Sequence, residues 1–306
     1  MSKLPVLIDT DGQADSLWGL ILAKKYLDVR AITVCCGKNS DGSNSIENTL
    51  GFAAMAGLGC TVSDGSRRSV LSREQPRWDR FAPDGKCGLP IPKNPCRPTE
   101  VPAWDQIYQT ARELSGELTV LCFGPMTNLA LAIFKYPDLP KLIRKVAFVG
   151  GSYDYGDYKG TVEINMATDP EAAKAVFQSG IRMEMYGCNA ERRSALTNGE
   201  IGRIVDQAKG PYTTAFAMCA MAAKPGEPIY YGPALAVMGL AEPEHVTFER
   251  YNVFIETKGA ECRGRTTPLN MYFPLGYPKD TLVAMDLDRE HYIEILKQAL
   301  AEYEQL

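Results

Sequence analysis

The stretch VLIDTDGQADSLWGLILAKK, residues 6–25, decides how the rest of the chain is read. An apolar run ends in Asp9, Asp11 and Asp15 around Gly12, and the apolar-rich segment SLWGLILAKKYL follows. A short apolar run, a polar turn with glycine and a longer apolar segment read as strand, loop and helix. VRAITVCCG (29–37), rich in β-branched residues and closed by Gly37, is the next strand. NSIENTLGFAAMAGL (44–58) reads as a helix and CTVSDG (60–65) as a further short strand. This β-α-β-α-β order implies a parallel sheet with right-handed crossovers.

Residues 72–102 interrupt the alternation with many prolines and little periodicity. A loop this long is usually functional, so it is expected to lie over a pocket. The pattern resumes with a helix near 103–115, the strand ELTVLCFG (117–124), the helix TNLALAIFKYP (127–137) and the strand KVAFVGG (145–151). DPEAAKAVFQSG (169–180) is a helix with Pro170 in its first turn, and IRMEMYG (181–187) is a strand. Residues 190–225 read as helical, and YGPALAVMGLA (231–241) as a helix. TFERYNVFIETKG (247–259) and DTLVAMDLD (280–288) are late strands before a terminal amphipathic helix from Arg289. There is no internal repeat, low-complexity tract or linker. The expectation is one α/β domain over residues 1–306, with an open, mainly parallel sheet and flanking helices.

A chain of 306 residues buries a substantial core without disulfide or metal staples. A net charge of −4 argues against a general nucleic-acid binder, which carries a basic face. None of the nine cysteines forms a C-x-x-C pair, so reduced thiols are expected. On a strand, the neighbours Cys35 and Cys36 point to opposite faces and share no local task. No leader-like segment or membrane-length apolar run is present, so a cytoplasmic protein is expected.

In an open parallel sheet, ligands bind beyond the carboxyl ends of the strands. Asp9, Asp11 and Asp15 follow the first strand, Gly37 to Asn39 the second, and Gly124 to Asn128 a later one, so several loops converge on one rim. Clustered carboxylates repel, and a hard cation such as Ca²⁺ suits an oxygen-rich setting. Asp15 alone also reads as a helix cap. Three acids in this spacing favour a ligand site.

The motifs extend this reading. DTDGQADS (9–16), GPMTNLALAIFKYPDLPKLIRKVAFVGGSY (124–153), VEINMATDPEAAKAVFQSG (162–180) and ECRGRTT (261–267) resemble conserved segments of the inosine-uridine-preferring nucleoside hydrolases. The resemblance covers nearly the whole chain. It implies an open α/β fold and hydrolysis of the N-glycosidic bond of ribonucleosides, with no nucleic-acid or membrane partner. In that family a bound Ca²⁺ activates the water and an Asp removes its proton.

Carried over residue by residue, the resemblance makes Asp11 the metal ligand and general base, and Asp15 the partner of ribose hydroxyls. Asn39, or Lys38 if the register slips by one, falls where a ribose-contacting Asn is expected. Thr127 matches a backbone calcium ligand, Glu163 and Asn165 the sugar-binding pair, and Asp157 a contact to the 5′-hydroxyl. Two departures stand out. Ser16 replaces an Asp ligand of the signature, and Gly232-Pro233 replaces a His-Asp pair whose Asp binds calcium and whose His assists the departing base. Calcium binding is therefore expected to be weak or absent. Glu227 is a candidate substitute ligand. Lys38 is a candidate substitute cation, or else a solvated loop lysine.

Trp78, in the long loop, is the candidate base-stacking residue, while Trp18 on an apolar helix reads as core. Tyr230 and Tyr231 are expected to shape the pocket or donate to a leaving group. His245 and His291, the only histidines, lie outside every matched motif and read as surface or partly buried polar residues. Three functions remain open: a divergent N-glycosyl hydrolase acting on a nucleoside or related ribosyl compound, a non-catalytic ribosyl-ligand binder or pseudoenzyme, and a metal-free reaction on a related glycoside with Asp11 alone as general base. A homodimer or homotetramer is expected by resemblance alone.

Overall fold

Apolar runs alternating with helical segments build a nine-stranded sheet in the computed structural model. The structure describes residues 3–37, 45–71, 76, 80–91, 97–206, 210–221, 229–269 and 280–305. The strands are β1 (Pro5–Thr10), β2 (Asp28–Val34), β3 (Thr61–Asp64), β4 (Leu118–Cys122), β5 (Ile143–Val149), β6 (Met183–Tyr186), β7 (Val246–Ile255), β8 (Thr266–Leu269) and β9 (Thr281–Leu287). Their order across the sheet is β3-β2-β1-β4-β5-β6-β9-β7-β8. The run from β3 to β9 is parallel, whereas β7 pairs antiparallel with both β9 and β8. The open, mainly parallel α/β sheet read from the sequence is the observed architecture.

Strand β1 is the hinge of the topology. Ile8 faces Ile32 of β2 on one side and Leu121 of β4 on the other. The chain winds outward in one direction from β1 to β3 and in the other from β4 onward. The loops after β1 and β4 therefore diverge and leave a crevice at the carboxyl ends, where ligands bind in such sheets.

Alternation along β1 separates two cores. Val6 and Ile8 join a cluster with Trp18, Phe216, Leu235 and Tyr292, whereas Leu7 joins one with Ile107, Val120 and Leu129. Successive side chains point to opposite faces, so one apolar strand supplies both layers. The helix Ser16–Tyr26 is buried from Ser16 through Ala23, because the helix Gly232–Ala241, itself buried from Gly232 through Leu240, covers its outer side.

Local chemistry accounts for the departures from the sequence reading. The helical region expected over 190–225 consists of Cys188–Arg193, Asn198–Val205 and Pro211–Met221, with residues 207–209 and 222–225 outside those described. A capping box between Thr197 and Glu200 starts the second helix afresh, and Leu196 N–H donates to the Ile229 carbonyl at 2.7 Å instead of continuing the first. Strand β2 ends at Val34, so Cys35 and Cys36 lie just past it, both buried and unbridged. Among the described residues, no helix is long and apolar enough to cross a membrane.

Candidate active site

The turn after β1 is sharp. Gly12 has φ +70°, and a Cβ there would meet the Ser45 carbonyl oxygen at 2.4 Å, so only glycine fits. The turn sends the signature acids to different places. Asp9 is fully buried and accepts hydrogen bonds at Oδ1 from Thr33 Oγ1 (2.7 Å) and Asn128 Nδ2 (2.8 Å). Burial pushes its carboxyl up to about 7, against those hydrogen bonds and with the nearby Asp11 charge adding to the rise. Asn128 also donates to the Val34 carbonyl (3.0 Å) and accepts from Ser66 N–H (2.9 Å). Asp9 and Asn128 thus lace the ends of β1, β2 and β3 together and do not line the pocket.

Asp11 does line it. The pocket, of roughly 470 Å³ to its open mouth, is walled by Asp11, Gln13, Asp15, Phe123, Asp157, Glu163, Asn165 and Glu191, with Arg80, Phe81 and Tyr230 at one side. Asp15 holds the N-cap position of the helix Ser16–Tyr26, yet its side chain makes no capping hydrogen bond and faces the pocket. Of the expected site residues, the structure brings together Asp11, Asp15, Asp157, Glu163 and Asn165. Lys38, Asn39, Trp78 and Glu227 lie outside the described residues.

The sugar-site candidates are held by the backbone around them. Glu163 accepts Asn165 N–H (2.8 Å) at one oxygen, and Gly151 N–H and Met166 N–H (both 3.0 Å) at the other. It thereby caps the short helix Ile164–Thr168. Asp157 Oδ1 accepts Ile164 N–H at 3.0 Å. The Asn165 amide donates to the Phe123 (3.2 Å) and Val149 (2.9 Å) carbonyls and so joins the ends of β4 and β5. Its buried Oδ1 has no hydrogen-bond partner among the described residues.

The side chains at three of the calcium-site positions are engaged in packing around the turn. Ser16 Oγ accepts from Thr10 Oγ1 at 3.0 Å beneath the turn. Thr127 is fully buried, its hydroxyl donating to Asp169 at 2.7 Å. Pro233 packs so tightly on the first helix that a Cβ at Gly19 would approach it within 2.6 Å. None of the three lines the pocket. Among the described residues, no three His, Cys, Asp or Glu groups at the pocket bring ligand atoms close enough to hold an ion; Glu242, His245 and His291 do so, but on the far surface. Calcium takes six to eight oxygen ligands. Asp11 alone among the family's side-chain ligand positions offers a carboxylate here.

The cation that the described pocket does hold comes from the long loop. The Arg80 guanidinium lies 4.2 Å over the Tyr230 ring. Burial works against its charge, but Tyr230, Asp15 and Glu191 hold the guanidinium more firmly protonated than usual. The loop is anchored by Ala14 N–H to the Gly85 carbonyl and Asn48 Nδ2 to the Asp84 carbonyl, both 2.8 Å. Its expected place over the pocket is therefore observed for its described part.

Comparison with known proteins places this geometry. The model of the inosine-uridine preferring nucleoside hydrolases matches residues 6–294. The chain belongs to that family. It is 29% identical to the pyrimidine-specific ribonucleoside hydrolase RihA of Klebsiella pneumoniae over 312 residues, 98% of this chain and 99% of that protein. It is 30% identical to the enzyme of the same description from Salmonella paratyphi A, over 98% of this chain and 99% of that one. A plant nucleoside hydrolase superposes with a TM-score of 0.87 at 26% identity, covering 98% of this chain and 99% of that one. The family assignment makes the chain a nucleoside N-ribohydrolase-like enzyme whose expected substrates are small nucleosides, in keeping with the pocket just described.

Sequence reasoning missed Arg80 and Glu191. Glu191 had a usable signal, since it lies five residues beyond the end of β6, on the same carboxyl rim as the signature acids. Arg80 had only its place in the long loop. Tyr230 is in the pocket as expected, but Tyr231 is not: its hydroxyl donates to the Phe216 carbonyl at 3.0 Å in a buried aromatic cluster with Trp18. Trp18 is core, as its helix predicted. His245 and His291 stack on each other 3.6 Å apart at the partly exposed surface.

Proposed function

We propose that this chain hydrolyses the N-glycosidic bond of a nucleoside or related ribosyl compound, with Asp11 as general base and without a tightly held calcium ion. The observation that carries the reading is Asp11 itself, 2% exposed at the β1 end and facing a pocket that also holds Asp15, Asp157, Glu163 and Asn165. A sugar seated there meets carboxylates on several sides. Positive charge builds on the ring as the bond to the base breaks, and fixed negative groups in a water-poor cleft stabilise it. Asp11 takes a proton from the water that attacks the anomeric carbon, an effect worth about 10²–10⁴ in rate. The RihA relatives, named for pyrimidine ribonucleosides, make uridine and cytidine the first substrates to try.

A second reading rests on Ser16 and Pro233, which stand where the family resemblance expects carboxylate ligands: a ribosyl-ligand binder that has kept the sugar pocket and lost turnover. One assay separates the two. Purified protein is incubated with a nucleoside panel in calcium and in chelator, and free base and ribose are quantified. Release in both conditions that disappears with Asp11→Ala supports the hydrolase. Saturable ribose or nucleoside binding by calorimetry, with no release, supports the binder. A stoichiometric calcium isotherm would overturn the metal part of the proposal.

A further inference from the structure

Breaking an N-glycosidic bond leaves an electron pair on the base nitrogen, and a nucleobase is a poor leaving group unless that nitrogen or a conjugated atom is protonated. Asp11 serves the opposite end of the reaction. Gly232-Pro233 removes the His that the family resemblance supplies at this place. Something else must serve as the acid, and the space left at Gly232 shows what stands there. A Cβ built on Gly232 would lie 2.2 Å from Glu191 Oε1 and 3.3 Å from its Cδ. The Glu191 carboxyl has therefore moved into the volume where a side chain at 232 would begin, and glycine is the residue that admits it.

Glu191 is also placed to act. It is 6% exposed and lines the same pocket as Asp11, Asp157 and Glu163. It sits on the short helix Cys188–Arg193, held to the sheet end by Cys188 N–H donating to the Gly151 carbonyl at 3.0 Å. Beside it, Arg80 over Tyr230 forms a cationic and aromatic wall suited to a planar heterocycle.

We propose that Glu191 is the catalytic acid of this enzyme, giving its proton to the departing base from the place the family's His has vacated. The inference rests on the hydrolase reading above. As the bond between the anomeric carbon and the base nitrogen breaks, its electron pair goes to the base, which takes the Glu191 proton. The water oxygen bonds to the anomeric carbon and its proton goes to Asp11. One nucleoside and one water become ribose and free base, and the proton on Asp11 returns through solvent to Glu191. Supporting this, burial first, then the charges of Asp157 and Glu163, and more weakly that of Asp15, hold the Glu191 carboxyl well above the usual carboxylate range, outweighing the opposing pull of Arg80.

The test compares two substrates in wild type, Glu191→Gln and Glu191→Asp. Uridine needs protonation of its leaving group. 4-Nitrophenyl β-D-ribofuranoside does not, because nitrophenolate departs unaided. Glu191→Gln is expected to lose about 10²–10⁴-fold in kcat/KM on uridine and far less on the nitrophenyl riboside, with Glu191→Asp between. The alkaline fall of the wild-type uridine profile should also vanish in Glu191→Gln. Surviving nitrophenyl turnover shows that the variant is folded. Equal losses on both substrates, or no loss on uridine, overturn the proposal and leave the Asp11 reading standing. A wild type that cleaves neither substrate overturns the hydrolase reading and this one with it.

Discussion

The positions matched to the family's motifs fall into two groups, one lining the pocket and one packed around it. In the first group, Asp11, Asp15, Asp157, Glu163 and Asn165 line the pocket. In the second group, the side chains of Ser16, Thr127 and Pro233 pack among the first helix, the sheet and the helix Gly232–Ala241. The difference lies in what else each residue holds. Glu163, Asp157 and Asn165 also satisfy backbone groups at the ends of β4 and β5 and at the helix Ile164–Thr168, so losing one unsettles the fold as well as the site. A carboxylate that only ligates an ion carries no such second load. If the ion is not held, as proposed, such a position is free to become a serine or a core proline.

Four measurements can break or sharpen this contrast. The largest effect is expected at Asp11, whose replacement by Asn should lower kcat by about 10²–10⁴-fold while the thermal midpoint stays close to wild type. Unchanged turnover would remove Asp11 from the chemistry. Next comes Asn128→Ala, which takes a hydrogen bond from buried Asp9 and frees the Val34 carbonyl and Ser66 N–H. Denaturant melts should show a loss of roughly 2–4 kcal/mol, and a neutral result would refute the lacing role.

A smaller effect is expected far from the pocket, at Glu200 and Arg289. The Arg289 guanidinium, 2.5 Å away, is the main cause holding the Glu200 carboxyl down at about 2. A depressed acid stabilises the fold above its unfolded value and loses that contribution as pH falls through the folded one. The window here runs from roughly pH 4.5 down to about 2. Discounted for the partial exposure of Arg289, the pair is worth on the order of 1–2 kcal/mol. Arg289→Met should therefore melt earlier than wild type at pH 7 and by a smaller margin near pH 2, where the bonds to the Ala195 carbonyl are what it still loses, with turnover unaffected. The smallest expected effect is that of calcium, since adding the ion or a chelator should leave the rate as it was. A clear rise with calcium would show that the second group still gathers ligands.

The order of strands and helices was legible because each depends on neighbours in sequence: apolar runs of strand length, a glycine closing a turn, Pro170 at a helix start. The sharing of the rim by Asp11, Asp157, Glu163 and Asn165 was legible too, through the motifs and the rule that sites form at the carboxyl ends of parallel strands. The break-up of 190–225 was less so, since apolar content there conceals the capping box that restarts the helix. Asp9 shows the limit most clearly. It belongs to the same signature as Asp11, yet its burial and its bonds to Thr33 and Asn128 come from β2 and from the segment after β4.

By itself, then, the sequence determined the alternating sheet, the turn that carries the acids, and the presence of Ser16 and Pro233 where the family resemblance expects carboxylates, because a residue's identity and its local periodicity need no partner to be read. Only the tertiary structure decided that Arg80 enters the pocket and that Glu191 fills the space at Gly232. Those placements join residues about 110 and 40 positions apart in the chain through packing between layers, and such contacts are specified by the whole core and not by any one segment.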